Sequence, residues 1–201
     1  MNLPFECSSW DELYQEKEVE ILPWFHPVLD PDIAQALQQW QIKTGEVLDL
    51  GTGPGTQAIA LAKLGFQVTA TDVSETAIEK ARLKAKSESV SIDFLVDDIS
   101  ASKLQRSFDL IIDRGCFHIF EPAERQIYIA VLHDLLKPAG FFFLKCFSHL
   151  EPSEEGPNRF RPEEIADEFR PHFSVKSVES TVYYGTRQPL PRALFCVLSK
   201  L

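Results

Sequence analysis

Val47-Leu48-Asp49-Leu50-Gly51-Thr52-Gly53-Pro54-Gly55 decides the reading of this chain. A short apolar run carries an acid two places before a Gly-x-Gly-x-Gly turn, and Asp72 closes a second apolar run about twenty residues later. Strand, glycine turn, helix and then an acid is the layout of a βαβ unit that holds a nucleoside. The reason is steric and chemical. Side chains at Gly51 or Gly53 would block the approach of backbone to ligand. The acid can accept hydrogen bonds from both ribose hydroxyls, each contributing roughly 1.5–3 kcal/mol when the acceptor is charged. The alternative is a tight turn between strand and helix that holds no ligand.

The surroundings continue the pattern. Strands are expected near 46–50, 67–71, 91–96, 108–113, 140–147, 173–182 and 192–199, and helices near 30–41, 56–64, 75–87, 122–136 and 162–170. Such alternation predicts a mostly parallel seven-stranded sheet with helices on both faces. Ser74 is placed to cap the helix that begins at the acidic Glu75, and Pro122 sits where a missing N–H costs nothing. Ile127, Val131 and Leu135, with Leu132 and Leu136, recur at helical spacing and should face the core. Lys137-Pro138-Ala139-Gly140 stops that helix and launches Phe141-Phe142-Phe143-Leu144, a strand apolar on both faces. The link Tyr184–Pro191 is too short for a crossover helix, so the last two strands should form an antiparallel hairpin at the sheet edge.

With 201 residues, the chain suits a single domain, 1–201, with a helical cap segment (1–43) before the core (44–201). Hydrophobic residues make up 44% and the net charge is −10, a balance that argues against nucleic acid or an anionic membrane as main partner. Cys7, Cys116, Cys146 and Cys196 form no C-x-x-C pair, which suits buried free thiols in a reducing compartment and no metal site. The first residues, with Pro4 and Glu6, lack a basic n-region, and no apolar run approaches the ~20 residues that span a bilayer. A cytoplasmic protein acting on a small molecule is the expectation. Its oligomeric state is invisible in the sequence.

The glycine string has Thr56 where a dinucleotide fingerprint carries its third glycine. The whole of it resembles motif I of the class I S-adenosylmethionine (SAM) methyltransferases. The Leu-Lys-Pro-x-Gly stop and the terminal hairpin are similar to that family as well. At the fourth strand end, Asp113-Arg114-Gly115 resembles the thiopurine, plant thiol/halide and bacterial tellurite-resistance methyltransferases. Trp10-Asp11-Glu12-Leu13-Tyr14 followed by Pro23-Trp24 looks like the W-x-x-x-Y…P-W signature of the same branch, with a longer spacing. The resemblance implies a Rossmann-like class I methyltransferase fold with SAM as cofactor and S-adenosylhomocysteine as product. It implies cofactor contacts from Trp10, Leu50, Gly51, Thr52, Gly53, Asp72, Val73, Asp98, Ile99, Asp113 and Arg114. Trp24 would close over the methyl-transfer site, or else Trp10, Tyr14 and Trp24 merely anchor an amphipathic helix.

Near that site Asp113 and His118 are the candidates for a base, and His118 equally suits a structural role among Phe117, Ile119 and Phe120. Direct transfer from SAM needs no enzyme nucleophile, so Cys116 is read as packing. The expected reaction moves a methyl group by in-line displacement to a thiol or other soft nucleophile. An O- or N-methyltransferase is the runner-up, ahead of an NAD-binding oxidoreductase or a non-catalytic SAM-binding protein. The acidic turn Glu151–Asn158 is either a solvated loop or part of a lid, and Arg159 and Arg161 beside it could meet a substrate carboxylate or the neighbouring acids.

Overall fold

The computed structural model describes residues 7–152 and 156–201. The expectation for Pro4 and Glu6 therefore lies outside the described residues, as does the middle of the acidic turn. The strands are β1 (Glu46–Leu50), β2 (Gln67–Asp72), β3 (Asp93–Val96), β4 (Phe108–Arg114), β5 (Leu136–Ser148), β6 (Arg159–Phe160), β7 (Phe173–Val182) and β8 (Arg192–Lys200). The α-helices are α1 (Trp10–Glu16), α2 (Pro31–Gln39), α3 (Thr56–Lys63), α4 (Glu75–Ser87), α5 (Pro122–Leu135) and α6 (Pro162–Phe169).

The sheet runs β3-β2-β1-β4-β5-β8-β7. Pairing is parallel from β3 through β5, then antiparallel for β5–β8 and β7–β8, so the terminal hairpin forms the edge as expected. The two-residue β6 extends the expected seven strands to eight by pairing parallel with the end of β5. Strand order reverses beside β1, because β2 lies on one side of it and β4 on the other. A crevice opens at such a switch point, at the carboxyl ends of the strands.

Local chemistry explains the element ends. Ser74 Oγ accepts from Ala77 N–H at 3.0 Å and caps α4. Asp30 caps α2, accepting from Asp32 N–H at 3.0 Å, with Pro31 in the first turn. α5 ends at Leu135 and β5 begins at once at Leu136, which pairs with Phe108; the Lys-Pro-Ala-Gly stop is a bulged strand start with Ala139 at φ 60°. One core expectation is corrected: Ile127 is 51% exposed, while Tyr128 and Ile129 are buried in its place. The inward stripe of α5 runs through Arg125, Tyr128, Ile129, Leu132 and Leu135.

Side chains of successive strand residues leave opposite faces. In β5, Phe142, Leu144 and Cys146 join the core under α5 and α6, while Phe143 joins the core under α2, α3 and α4. A third, smaller cluster of Leu13, Tyr14, Leu22 and Ala77 fixes the N-terminal segment to α4. The four cysteines are unpaired, with Cys146 and Cys196 buried as expected. No helix among the described residues is long and apolar enough to cross a membrane. No group of three or more His, Cys, Asp or Glu among them is arranged to hold a metal ion.

Candidate active site at the carboxyl ends of the strands

The turn after β1 folds through positive φ at Gly51 (64°), Gly53 (52°) and Gly55 (78°), a region that favours glycine. At Gly53 the requirement is also steric, since a Cβ there would lie 2.7 Å from Tyr14 Oη. Asp49 stabilises the turn from beneath, accepting from Thr52 Oγ1 at 2.6 Å and from Ala58 N–H at 3.0 Å. Burial pushes its pKa up to about 7, against those two hydrogen bonds.

Asp72 ends β2 beside this turn. One carboxylate oxygen accepts from Gly53 N–H at 2.8 Å and the other from Ser74 N–H at 2.9 Å. Burial raises its pKa, and the backbone N–H donors act in the opposite sense. The Val73 backbone N–H acts on the same carboxylate. Val73 is exposed and Leu50 buried. On the next strand end, Asp98 is exposed and accepts from Ser100 N–H at 2.9 Å and Ser100 Oγ at 2.7 Å, with Ile99 buried behind it. Asp97 accepts from Lys103 N–H at 2.9 Å.

The N-terminal segment roofs the turn. Asp11 accepts from Ser74 Oγ at 2.8 Å and Thr76 N–H at 2.9 Å, so α1 is docked on the start of α4. These bonds, that from the Thr76 backbone foremost, hold the Asp11 pKa below the usual carboxylate range. Trp10 and Trp24 meet edge to face with ring centroids 5.9 Å apart, and the Trp24 indole hydrogen-bonds the buried Tyr14 hydroxyl. A narrow cleft remains beneath, lined by Tyr14, Trp24, Phe25 and His26 and by Gly51, Thr52, Gly53, Gln57 and Arg114.

At the end of β4, Asp113 is buried and its two oxygens are taken by four donors. These are the N–H groups of Gly115 (2.8 Å), Cys116 (2.6 Å) and Phe117 (2.8 Å), and the Tyr128 hydroxyl. Burial raises its pKa to about 6 despite those donors. His118 is buried, stacked on Phe147 at 4.8 Å, and burial lowers its pKa to about 3. Arg114 points toward the cap instead. Its Nε donates to Asp30 at 2.8 Å, one terminal nitrogen to the Trp24 carbonyl at 2.9 Å, and the other to the Tyr184 carbonyl. The β7–β8 turn presses on the same segment: Thr186 N–H donates to the Pro23 carbonyl at 3.2 Å, and a Cβ on Gly185 would stand 2.1 Å from that oxygen.

The fold thus brings Trp24, Gly51, Thr52, Gly53 and Arg114 to one cleft, with Asp72 and Trp10 at its margin through Gly53 and Trp24. Asp113 and His118 lie behind the loop after β4. Arg161, exposed at the start of α6, donates its backbone N–H to Glu164 at 2.7 Å. Sequence reasoning missed His26 and Gln57, which line the cleft, and Asp30 and Lys145, whose charges meet behind it. The available signal was Lys145 itself, a charge inside the apolar run Phe141–Phe147.

Comparison with known proteins agrees with this geometry. A family described as a methyltransferase domain matches residues 47–140. An uncharacterized methyltransferase of Schizosaccharomyces pombe is 37% identical over 108 residues, covering 53% of this chain and 74% of that protein. Probable thiol methyltransferase 2 of Arabidopsis thaliana is 30% identical over 134 residues, covering 66% of this chain and 58% of that protein. A structure described for the conversion of a disulfide bond into a thioacetal group during echinomycin biosynthesis superposes with a TM-score of 0.81. It is 26% identical and covers 94% of this chain and 89% of its own. The chain belongs to the class I SAM-dependent methyltransferases, enzymes whose cofactor is SAM.

Proposed function

We propose that the acceptor is a small molecule with a thiol or another soft nucleophile as its reacting atom. The observation that carries this reading is the state of the two candidate bases. Asp113 has both oxygens committed to the loop after β4 and to Tyr128, and His118 is buried, which lowers its pKa to about 3 and makes it a weak base. An oxygen nucleophile needs a base, whereas thiols ionise near pH 8.5 and a few per cent are already reactive at neutral pH. The similarity to a probable thiol methyltransferase supports the same choice.

The cleft suits SAM. The Asp72 carboxylate ends β2 beside the glycine turn, where it can accept from ribose hydroxyls, and Gly53 leaves room there for the Tyr14 hydroxyl alone. In this reading Gly51, Thr52 and Gly53 face the methionine part, and Leu50 and Val73 flank the ribose. Asp98 and Ile99 meet the adenine. When bound, SAM supplies an electrophilic methyl on a sulfonium. Trp24 and Tyr14, which line the cleft, and Trp10 packed against Trp24 would offer aromatic faces to that charge and exclude water, a contact contributing ~0.5–2 kcal/mol. A dry aromatic wall also favours a thiolate meeting a sulfonium, because both are less well solvated there. Asp113 acts through the loop it organises, and Arg114 through the carbonyls it holds. The segment before residue 44 serves as the cap of one domain with the 44–201 core, working in the cytoplasm on a small metabolite.

A screen of S-adenosylhomocysteine release tests the acceptor. Small thiols, hydrosulfide, halides and selenium or tellurium oxyanions are set against phenols, carboxylates and amines. Turnover with the soft nucleophiles is expected; turnover confined to phenols or amines would overturn the proposal in favour of O- or N-methylation.

A further inference from the structure

We propose that Lys145, with Asp30 and Asp32, is a positioning device that seats the Trp24 segment over the cleft through Arg114. The inference rests on the reading of that cleft as the methyl-transfer site, and concerns residues behind it. Lys145 is 1% exposed in β5. Its ammonium contacts both oxygens of Asp30 at 2.8 Å and Asp32 Oδ2 at 2.7 Å. Asp30 is 0% exposed and accepts from Arg114 Nε as well, and Asp32 accepts from Thr181 Oγ1 at 2.8 Å. Two cations therefore face two anions, and the charges balance inside the protein.

The route to the cleft is continuous. Lys145 holds Asp30, Asp30 holds the Arg114 guanidinium, and Arg114 grips the carbonyls of Trp24 and Tyr184. Four parts of the chain meet there: β4, β5, the cap segment with the start of α2, and the end of β7 with its turn. Such a cluster is a poor way to gain stability, because well-packed apolar residues in place of a buried ion pair are often neutral or stabilising. Its distinctive property is direction. A planar guanidinium anchored on one edge by a fixed carboxylate can present its remaining N–H groups only along set lines. Those lines end on the backbone of Trp24 and of the turn that abuts Pro23.

Lys145→Met, and the charge-balanced Lys145→Met/Asp32→Asn, test this in the full chain with Trp40→Phe as background. Three quantities are read: S-adenosylhomocysteine affinity by calorimetry, acrylamide quenching of the cap tryptophans with S-adenosylhomocysteine bound, and turnover with hydrosulfide. Both variants should unfold cooperatively and bind S-adenosylhomocysteine close to wild type. Quenching should rise, and turnover should fall about tenfold to hundredfold, the scale of a small misplacement in an active site. Wild-type quenching and turnover in the charge-balanced variant would reduce the cluster to a packing feature and overturn the proposal. So would a loss of S-adenosylhomocysteine affinity in step with turnover. Should Lys145→Met fail to fold, Asp32→Asn alone decides, since its side chain is 17% exposed: quenching should rise, and unchanged quenching counts against the device. Inert hydrosulfide in wild type would count against the soft-nucleophile reading only, because the quenching arm needs no acceptor.

Discussion

Asp72→Ala removes the carboxylate on which the cofactor assignment turns. Two ribose hydroxyls donating to an ionised carboxylate contribute roughly 1.5–3 kcal/mol each. Loss of even one such bond is about tenfold in affinity, at 1.4 kcal/mol per decade, and loss of both reaches about a thousandfold. The fold loses less. Gly53 N–H and Ser74 N–H, now bound at 2.8 and 2.9 Å, lose their acceptor, but the cavity left beside the cleft lets water replace it. The cost of burying the Asp72 charge, which raised its pKa, is also gone. Calorimetric titration with S-adenosylhomocysteine should therefore show at least about tenfold weaker binding, with a cooperative thermal transition retained. The pH dependence follows from the same group. Its folded-state pKa is raised, and only the ionised form is a pure acceptor, so wild-type affinity should fall as pH drops through that raised value, a fall the variant lacks. A folded Asp72→Ala protein binding S-adenosylhomocysteine as tightly as wild type would refute the reasoning.

Three further outcomes are expected. Trp24→Ala should lower turnover more than SAM affinity, measured by steady-state kinetics beside calorimetry; equal losses would place Trp24 on the cofactor. Gly185→Ala would set a Cβ 2.1 Å from the Pro23 carbonyl, so it should destabilise the protein by ~1–3 kcal/mol in chemical denaturation and lower turnover. Burial lifts Asp49 from 3.8 to about 7, so its favourable contribution is complete below the unfolded value and is lost as pH rises through about 7. Asp49→Asn should accordingly lose less melting temperature than wild type between about pH 5 and about pH 8.5.

The nucleotide-binding half was legible because its signals are local. An apolar run, a glycine turn and a capped helix follow one another in β1, α3, β2 and α4. The hairpin was legible from a link too short for anything else. Local periodicity misplaced Ile127, since it fits one helical stripe and the sheet selected the stripe through Tyr128 and Ile129. The strand β6 was missed because two residues carry no period. The ion cluster was missed for a different reason: Asp30 and Lys145 are 115 positions apart, and no spacing rule links them. Arg114 lines the cleft, and its partners are Asp30 and backbone carbonyls of the cap and the hairpin turn, groups that sequence does not distinguish.

The most direct test is a crystal structure of the protein grown with excess S-adenosylhomocysteine. The account predicts the nucleoside at the carboxyl ends of β1 and β2, beside the switch point, with the Asp72 carboxylate on both ribose hydroxyls and the homocysteine sulfur facing Trp24. A ligand held elsewhere, or a ribose turned away from Asp72, would contradict it.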